Sequence, residues 1–338
     1  MSKDEVKAKF PSIFGKPHNY LAISGGGANG AFGAGVLCGW TETGNRPEFA
    51  IVTGISTGAL IAPLAFLGPE YDAQVKEIFT TYSTKDLIKK RFILFALFSD
   101  ALTSTEPLKK LIKKYGTQEV LDKIAVEHNK GRRLFIGTTN LDTGRPMIWN
   151  IGIIANSGNP KALEIFQKIL LASASIPGAF PPVIFNVEAN GQIYDEIHVD
   201  GGAASQVFLY PTWVDWTKVL EKLETKTKPM VYVIRNSKLE PDWQAVQPKL
   251  LPITGRSINS LIRNQGFGDL YRIYLLTMRD GLEFNLAYIP DDFDFKAKEE
   301  FDPVYMKALF DRGYEMAKSG YPWKKAPPDF EVSEGVKK

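Results

Sequence analysis

The sequence has 338 residues, 44% of them apolar and 12% aromatic, enough to bury a large core as one big domain or a domain with an extension; this excludes a disordered or fibrous chain. Its 41 Lys and Arg against 38 Asp and Glu leave a formal charge of +3, spread without a long basic block or an RNA-reading motif, so nucleic acid is not expected as a partner. Cys38 is the single cysteine, which excludes an intramolecular disulfide and a thiolate metal cluster.

In chain order, the opening MSKDEVKAKF carries charges where a secretory signal has an apolar run. The expectation is a cytoplasmic protein, or a cell-envelope one if a signal has been removed. Residues 17–41 and 49–69 are uncharged, yet their glycines and Pro63 break the roughly 20-residue apolar run that a membrane span needs. Residues 20–24 and 49–54 read as buried strands, and 29–40 and 56–67 as helices, so residues 20–67 predict strand, helix, strand, helix in a parallel sheet covered by helices. The strands are apolar throughout, as when both faces are buried. Further on, 106–115 and 117–129 predict amphipathic helices, 133–139 a strand and 162–173 a helix stopped by Ile176-Pro177-Gly178. Residues 183–187 and 192–199 predict paired strands joined at Ala189-Asn190-Gly191, 230–235 a later strand and 257–279 a long helix. Residues 239–251 read as the connection to a C-terminal extension, and the tail after Pro322 as loosely held.

Gly25-Gly-Gly-Ala-Asn-Gly30 follows a strand and opens a helix, and it formally fits the dinucleotide fingerprint. That reading fails, because the second strand runs into Gly54-Ile-Ser-Thr-Gly58 without the carboxylate that holds ribose hydroxyls, and no Lys-Ser or Lys-Thr completes a Walker loop. What remains is backbone N–H groups at a helix start, which can hold an oxyanion as well as a phosphate.

Gly54-Ile-Ser-Thr-Gly58 itself fits the G-x-S-x-G elbow, which sets Ser56 on a sharp strand-to-helix turn. A serine hydroxyl needs a base, and His18, His128 and His198 are poorly placed: the first precedes the nucleophile, the second lies in a charged, solvent-facing helix end, and the third is in a strand with 140 residues still to come. Asp200, followed by Gly201-Gly202 at a strand end, is a carboxylate able to face a site through a tight turn.

Ser24-Gly-Gly-Gly-Ala-Asn-Gly30, Gly54-Ile-Ser-Thr-Gly58 and Asp200-Gly-Gly202, in this order, resemble the three motifs of the patatin-like phospholipases. Gly137-Thr-Thr-Asn-Leu-Asp142 and Ala172-Ser-Ala-Ser-Ile-Pro177 add local similarity, so the resemblance covers about residues 18–212. It implies a three-layer α/β/α fold with a mainly parallel sheet and a catalytic core at 18–212, leaving 213–338 as an extension that completes or packs on it. It further implies a Ser56–Asp200 dyad without histidine, an oxyanion hole from Gly25, Gly26 and Gly27, and a lipid or ester substrate. Neither metal nor organic cofactor is required. Many family members have a basic residue where this chain has Asn29, which leaves the preferred head group open. His198, two residues before Asp200 on the same strand face, is a secondary candidate near the site.

Arg91-Phe-Ile-Leu-Phe-Ala-Leu-Phe98 reads as a buried helix or, if exposed, as a cap over an acyl chain and a point of peripheral membrane contact. Two alternatives to hydrolysis stay open from sequence: acyl transfer to an alcohol by the same dyad, and a non-catalytic lipid-binding protein on the same fold.

Overall fold

The computed structural model describes residues 1–330 apart from 88, 91–102, 242 and 244; the apolar cluster at 91–98 lies outside the described residues. In chain order the elements are α1 (Lys3–Lys9), β1 (Asn19–Ile23), α2 (Gly30–Glu42), β2 (Ile51–Ile55), α3 (Thr57–Leu67), α4 (Asp72–Thr80), α5 (Thr84–Leu87), β3 (Lys89–Lys90), β4 (Thr103–Ser104), α6 (Glu106–Tyr115) and α7 (Gln118–Asn129). There follow β5 (Arg133–Asn140), β6 (Arg145–Asn150), α8 (Ile151–Ala155), α9 (Ala162–Ser173), β7 (Val183–Ala189), β8 (Gln192–Asp200), α10 (Trp216–Leu223), β9 (Met230–Arg235), α11 (Leu250–Arg279), β10 (Glu283–Tyr288) and α12 (Pro303–Lys318).

The main sheet runs β10-β9-β1-β2-β5-β8-β7, with β6 also paired to β5. Strands β10, β9, β1, β2 and β5 are mutually parallel, whereas β6, β7 and β8 join antiparallel. Successive residues of a strand face opposite sides, and β1 shows the consequence. Leu21 and Ile23 enter a core with α2, α3, α9 and α12; Tyr20 and Ala22 enter a second core, on the other face, with α11. Both faces are therefore buried, the strand is apolar without alternation, and the architecture is three-layered α/β/α.

The register brings the sequence motifs together. β2 pairs Ile55 with Gly137, and β8 pairs Asp200 with Thr138. Ser56, one residue beyond Ile55, and Asp200 thus flank Thr138 of β5 at one level, although 143 positions separate them in sequence. β1 ends beside β2, with Ile23 opposite Gly54, which sets the glycine loop on the other side of Ser56.

Several predicted elements recur with almost the same bounds. The long helix begins seven residues before its expected start, at Leu250 instead of residue 257. Residues 323–330 are held rather than loose: the Trp323 ring packs 5.0 Å from those of Trp40 and Tyr232, Lys324 pairs with Leu286, and Phe330 packs 5.2 Å from Tyr274, whereas the rest of the expected loose tail lies outside the described residues. Aromatic packing in this segment outweighs its polar composition. Among the described residues no helix is long and apolar enough to cross a membrane.

Candidate active site

Ser56 stands between β2 and α3 at φ 56°, ψ −124°, a left-handed conformation that costs a non-glycine residue about 1–3 kcal/mol. The surroundings hold it there. Its N–H donates to Ser173 Oγ at 3.0 Å, and that hydroxyl donates to Gly137 O at 2.6 Å. Two similarity segments noted in the sequence thereby acquire a physical role, since together they pin the elbow. Gly58, on the first turn of α3, packs against the end of β1: a Cβ there would lie 2.8 Å from the Ile23 carbonyl carbon.

Asp200 ends β8 and is 5% exposed. Its N–H donates to Ser175 O at 2.8 Å, and its Oδ1 accepts the Gly202 N–H at 2.7 Å. Its Oδ2 is buried without a hydrogen-bond partner. Burial raises the carboxyl to a pKa of about 6, opposed by the Ser56 hydroxyl and then by the Gly202 N–H. Ser56 faces this carboxylate, and its hydroxyl lowers the carboxyl pKa without meeting Oδ2 in a well-formed hydrogen bond; catalytic hydrogen bonds are often long or poorly aligned in resting sites and tighten with substrate. A carboxylate that titrates near pH 6 is ionised at neutral pH and basic enough to accept a proton.

On the other side of Ser56, the glycine loop leaves β1. Gly25 N–H is engaged by Gln206 O at 3.1 Å, so this glycine supplies proximity, not a donor: a Cβ on it would sit 3.2 Å from Ser56 Cβ. The Gly26 and Gly27 N–H groups donate to no group among the described residues. Gly26 packs so tightly on Asn236 that a Cβ would lie 2.6 Å from Asn236 Cβ and O. Asn29 is turned away, accepting the Tyr305 hydroxyl at 2.6 Å.

None of the three histidines serves Ser56 by any contact. His18 Nε2 bonds Ile13 O at 2.9 Å. His128, expected at a solvent-facing helix end, is instead packed against Gly152, and burial lowers its pKa to about 4. His198 is fully buried against the rings of Trp149 and Phe185, which also stack on each other, and is bonded to Thr138 Oγ1 at 2.9 Å and Glu196 at 3.2 Å. It braces the strand pair beside Asp200.

Two supports of the site lie outside any sequence motif. Asn236, just past β9, ties down the glycine loop from a part of the chain without a motif. Asp269 of α11 accepts Ser205 Oγ and the N–H groups of Gln206 and Val207, fixing the turn after Asp200. Neither residue carries a local signal, because each is one polar residue among polar neighbours, Arg235 and Ser237 for Asn236 and the polar face of α11 for Asp269. Among the described residues no group of His, Cys, Asp or Glu is arranged to hold a metal ion.

Comparison with known proteins adds three findings. A family model described as patatin-like phospholipase matches residues 21–213. No curated protein gives a significant match. Among solved structures, the chain is similar to VipD from Legionella pneumophila, at a TM-score of 0.44 and 11% identity over 90% of this chain; it spans 66% of that chain's length.

Proposed function

The chain belongs to the patatin-like phospholipase family, and from that premise we propose that it is a serine acyl hydrolase acting on carboxylic esters of lipids through Ser56 and Asp200. The observation that carries this reading is the Oδ2 of Asp200, buried, unpartnered and beside Ser56. A buried carboxylate oxygen without a donor is unfavourable unless a proton is to be received there.

In the proposed cycle Asp200 Oδ2 takes the proton as Ser56 Oγ bonds to the ester carbonyl carbon. The tetrahedral oxyanion accepts hydrogen bonds from the N–H groups of Gly26 and Gly27, which lie at the start of a 3-10 turn, Gly27–Asn29, that leads into the positive dipole end of α2. Collapse breaks the ester C–O bond, the proton passes from Asp200 to the departing alcohol, and an acyl-Ser56 remains. Water, deprotonated by the same carboxylate, attacks the acyl group; the acid leaves and Ser56 regains its proton. The sharp turn at Ser56 and the pin from Ser173 keep the nucleophile aimed at one point between base and donors.

The test is hydrolysis of p-nitrophenyl esters of graded chain length by the native protein, Ser56→Ala and Asp200→Ala, together with labelling by a fluorophosphonate. Loss of turnover in both variants, and labelling of the native protein alone among the native and Ser56→Ala forms, is expected. Near-native turnover in Asp200→Ala sinks the dyad; a native protein that neither turns over esters nor labels would be a lipid-binding protein without catalysis.

A further inference from the structure

Arg235 is the last residue of β9, next to Asn236. Its side chain is 4% exposed, yet among the described residues it has no hydrogen bond and no ion pair, and its Nε is buried without an acceptor. Arg263, on α11, also has a buried Nε without an acceptor; one terminal nitrogen donates to Leu239 O at 2.5 Å. The two guanidinium carbons lie over the ring of Phe267, 4.6 and 4.8 Å from its centroid. Burial, and then the charge of Arg263, lower Arg235 to about 10. The nearby carboxylate, Asp269, is already engaged by Ser205, Gln206, Val207 and Arg272. Positive charge is left over.

The pair borders the site already described. A Cβ on Gly266 would lie 2.9 Å from Arg235 Nη1 and 3.4 Å from Gln206 Cγ. Gln206 in turn donates to Gly202 O at 2.8 Å, and its Oε1 lies 3.3 Å from the point, at Gly25, that is itself 3.2 Å from Ser56 Cβ. One side chain thus separates Arg235 from the glycine loop. Buried charges are ordinarily paired, and a planar guanidinium matches the paired oxygens of a phosphate. The loop supplies no cation of its own, since none of residues 24–30 is charged.

We propose that Arg235 and Arg263 form an anion subsite that takes the phosphate of a phospholipid while one of its esters lies at Ser56. The inference rests on the acyl-hydrolase reading for the second half of that sentence only. Phosphate chemistry could also be supplied by free phosphate, and the experiment separates the two.

The measurement is equilibrium binding by calorimetry to full-length Ser56→Ala protein, which holds lipid without turnover. The ligands are dioctanoylphosphatidylcholine below its micelle concentration, dioctanoylglycerol and inorganic phosphate. Adding Arg235→Gln or Arg263→Gln is expected to weaken the phospholipid about tenfold or more, as for loss of a charge-assisted contact, and at least several times more than the glyceride. Arg263 is only half-buried, so its variant carries the test if Arg235→Gln does not fold. Equal weakening of both lipids means a structural role and overturns the proposal. So does inorganic phosphate whose binding is lost in the variants while phospholipid affinity is kept. Turnover of the two lipids by native protein is read separately: if it is absent while the binding difference persists, the hydrolase reading fails and the subsite stands.

Discussion

Asn236 grips Ser24 from two directions: its side-chain amide donates to the Ser24 carbonyl at 2.9 Å, and its backbone N–H donates to the Ser24 hydroxyl, also at 2.9 Å. The same side chain accepts the Gly33 N–H at 3.0 Å. One buried amide therefore joins the start of the glycine loop, the helix behind it and the end of β9.

Asn236→Ala leaves a buried carbonyl and a buried N–H unpaired, which costs about 1–3 kcal/mol each. Thermal unfolding should show the loss, and kcat should fall about tenfold to a hundredfold with little change in KM. That is less than the effect of deleting an oxyanion donor outright, because the donors at Gly26 and Gly27 survive but are loosely aimed. An unchanged kcat would mean that the loop keeps its shape without Asn236.

The pH profile follows from Asp200. Its pKa is about 6, and only the ionised form accepts the Ser56 proton. kcat/KM for a p-nitrophenyl ester should rise with the slope of a single proton and reach half its plateau near pH 6. A midpoint near the ordinary aspartate value of about 4 would mean that the carboxylate is solvated in the working protein.

The same shift has a cost in stability. The carboxyl's folded pKa is raised above its unfolded value, so the folded state holds the extra proton, and stability falls as pH rises from about 4 to about 6. Asp200→Asn removes the buried charge while the Gly202 N–H keeps an acceptor. At pH 7.5 it should be more stable than the native protein by about 1–3 kcal/mol, with the gap narrowing as pH drops through 6 toward 4. Denaturant unfolding at the two ends of that range tests this; a variant less stable at pH 7.5 contradicts it.

Residues 213–338 should be needed for folding. β9 lies between β1 and β10, and α11 covers the face of β1 that carries Tyr20 and Ala22. A chain ended at residue 213 exposes an apolar strand edge and the apolar face of β1 that α11 covers, a combination that favours aggregation. It is expected to be insoluble or to lack near-ultraviolet circular dichroism. A soluble, cooperatively unfolding fragment would mark the first 213 residues as an independent domain.

The helices at 106–115 and 162–173 were readable residue by residue, because their apolar positions recur at helical spacing and Pro or Gly punctuates their ends. The turn at Ala189-Asn190-Gly191 was equally legible: Asn190 and Gly191 both adopt positive φ, at 53° and 75°, the backbone those residue types favour in tight hairpins. By contrast β10, in which polar Asn285 interrupts the run Glu283–Tyr288, and α12 carried too little pattern to stand out.

Adjacent residues suffice to set the local geometry of the candidate site: glycines where backbone comes close to Ser56, a serine on a tight turn, and an aspartate at a strand end. Short-range sterics fix such features, and short-range sterics are written in adjacent residues. Only the folded arrangement makes Ser56 and Asp200 flank Thr138, engages the Gly25 N–H with Gln206 O, and sets Asn236, from a region without a motif, against the glycine loop with Arg235 one side chain away. Those relations depend on strand order and register, set by the burial of whole sheet faces rather than by any stretch of neighbouring residues.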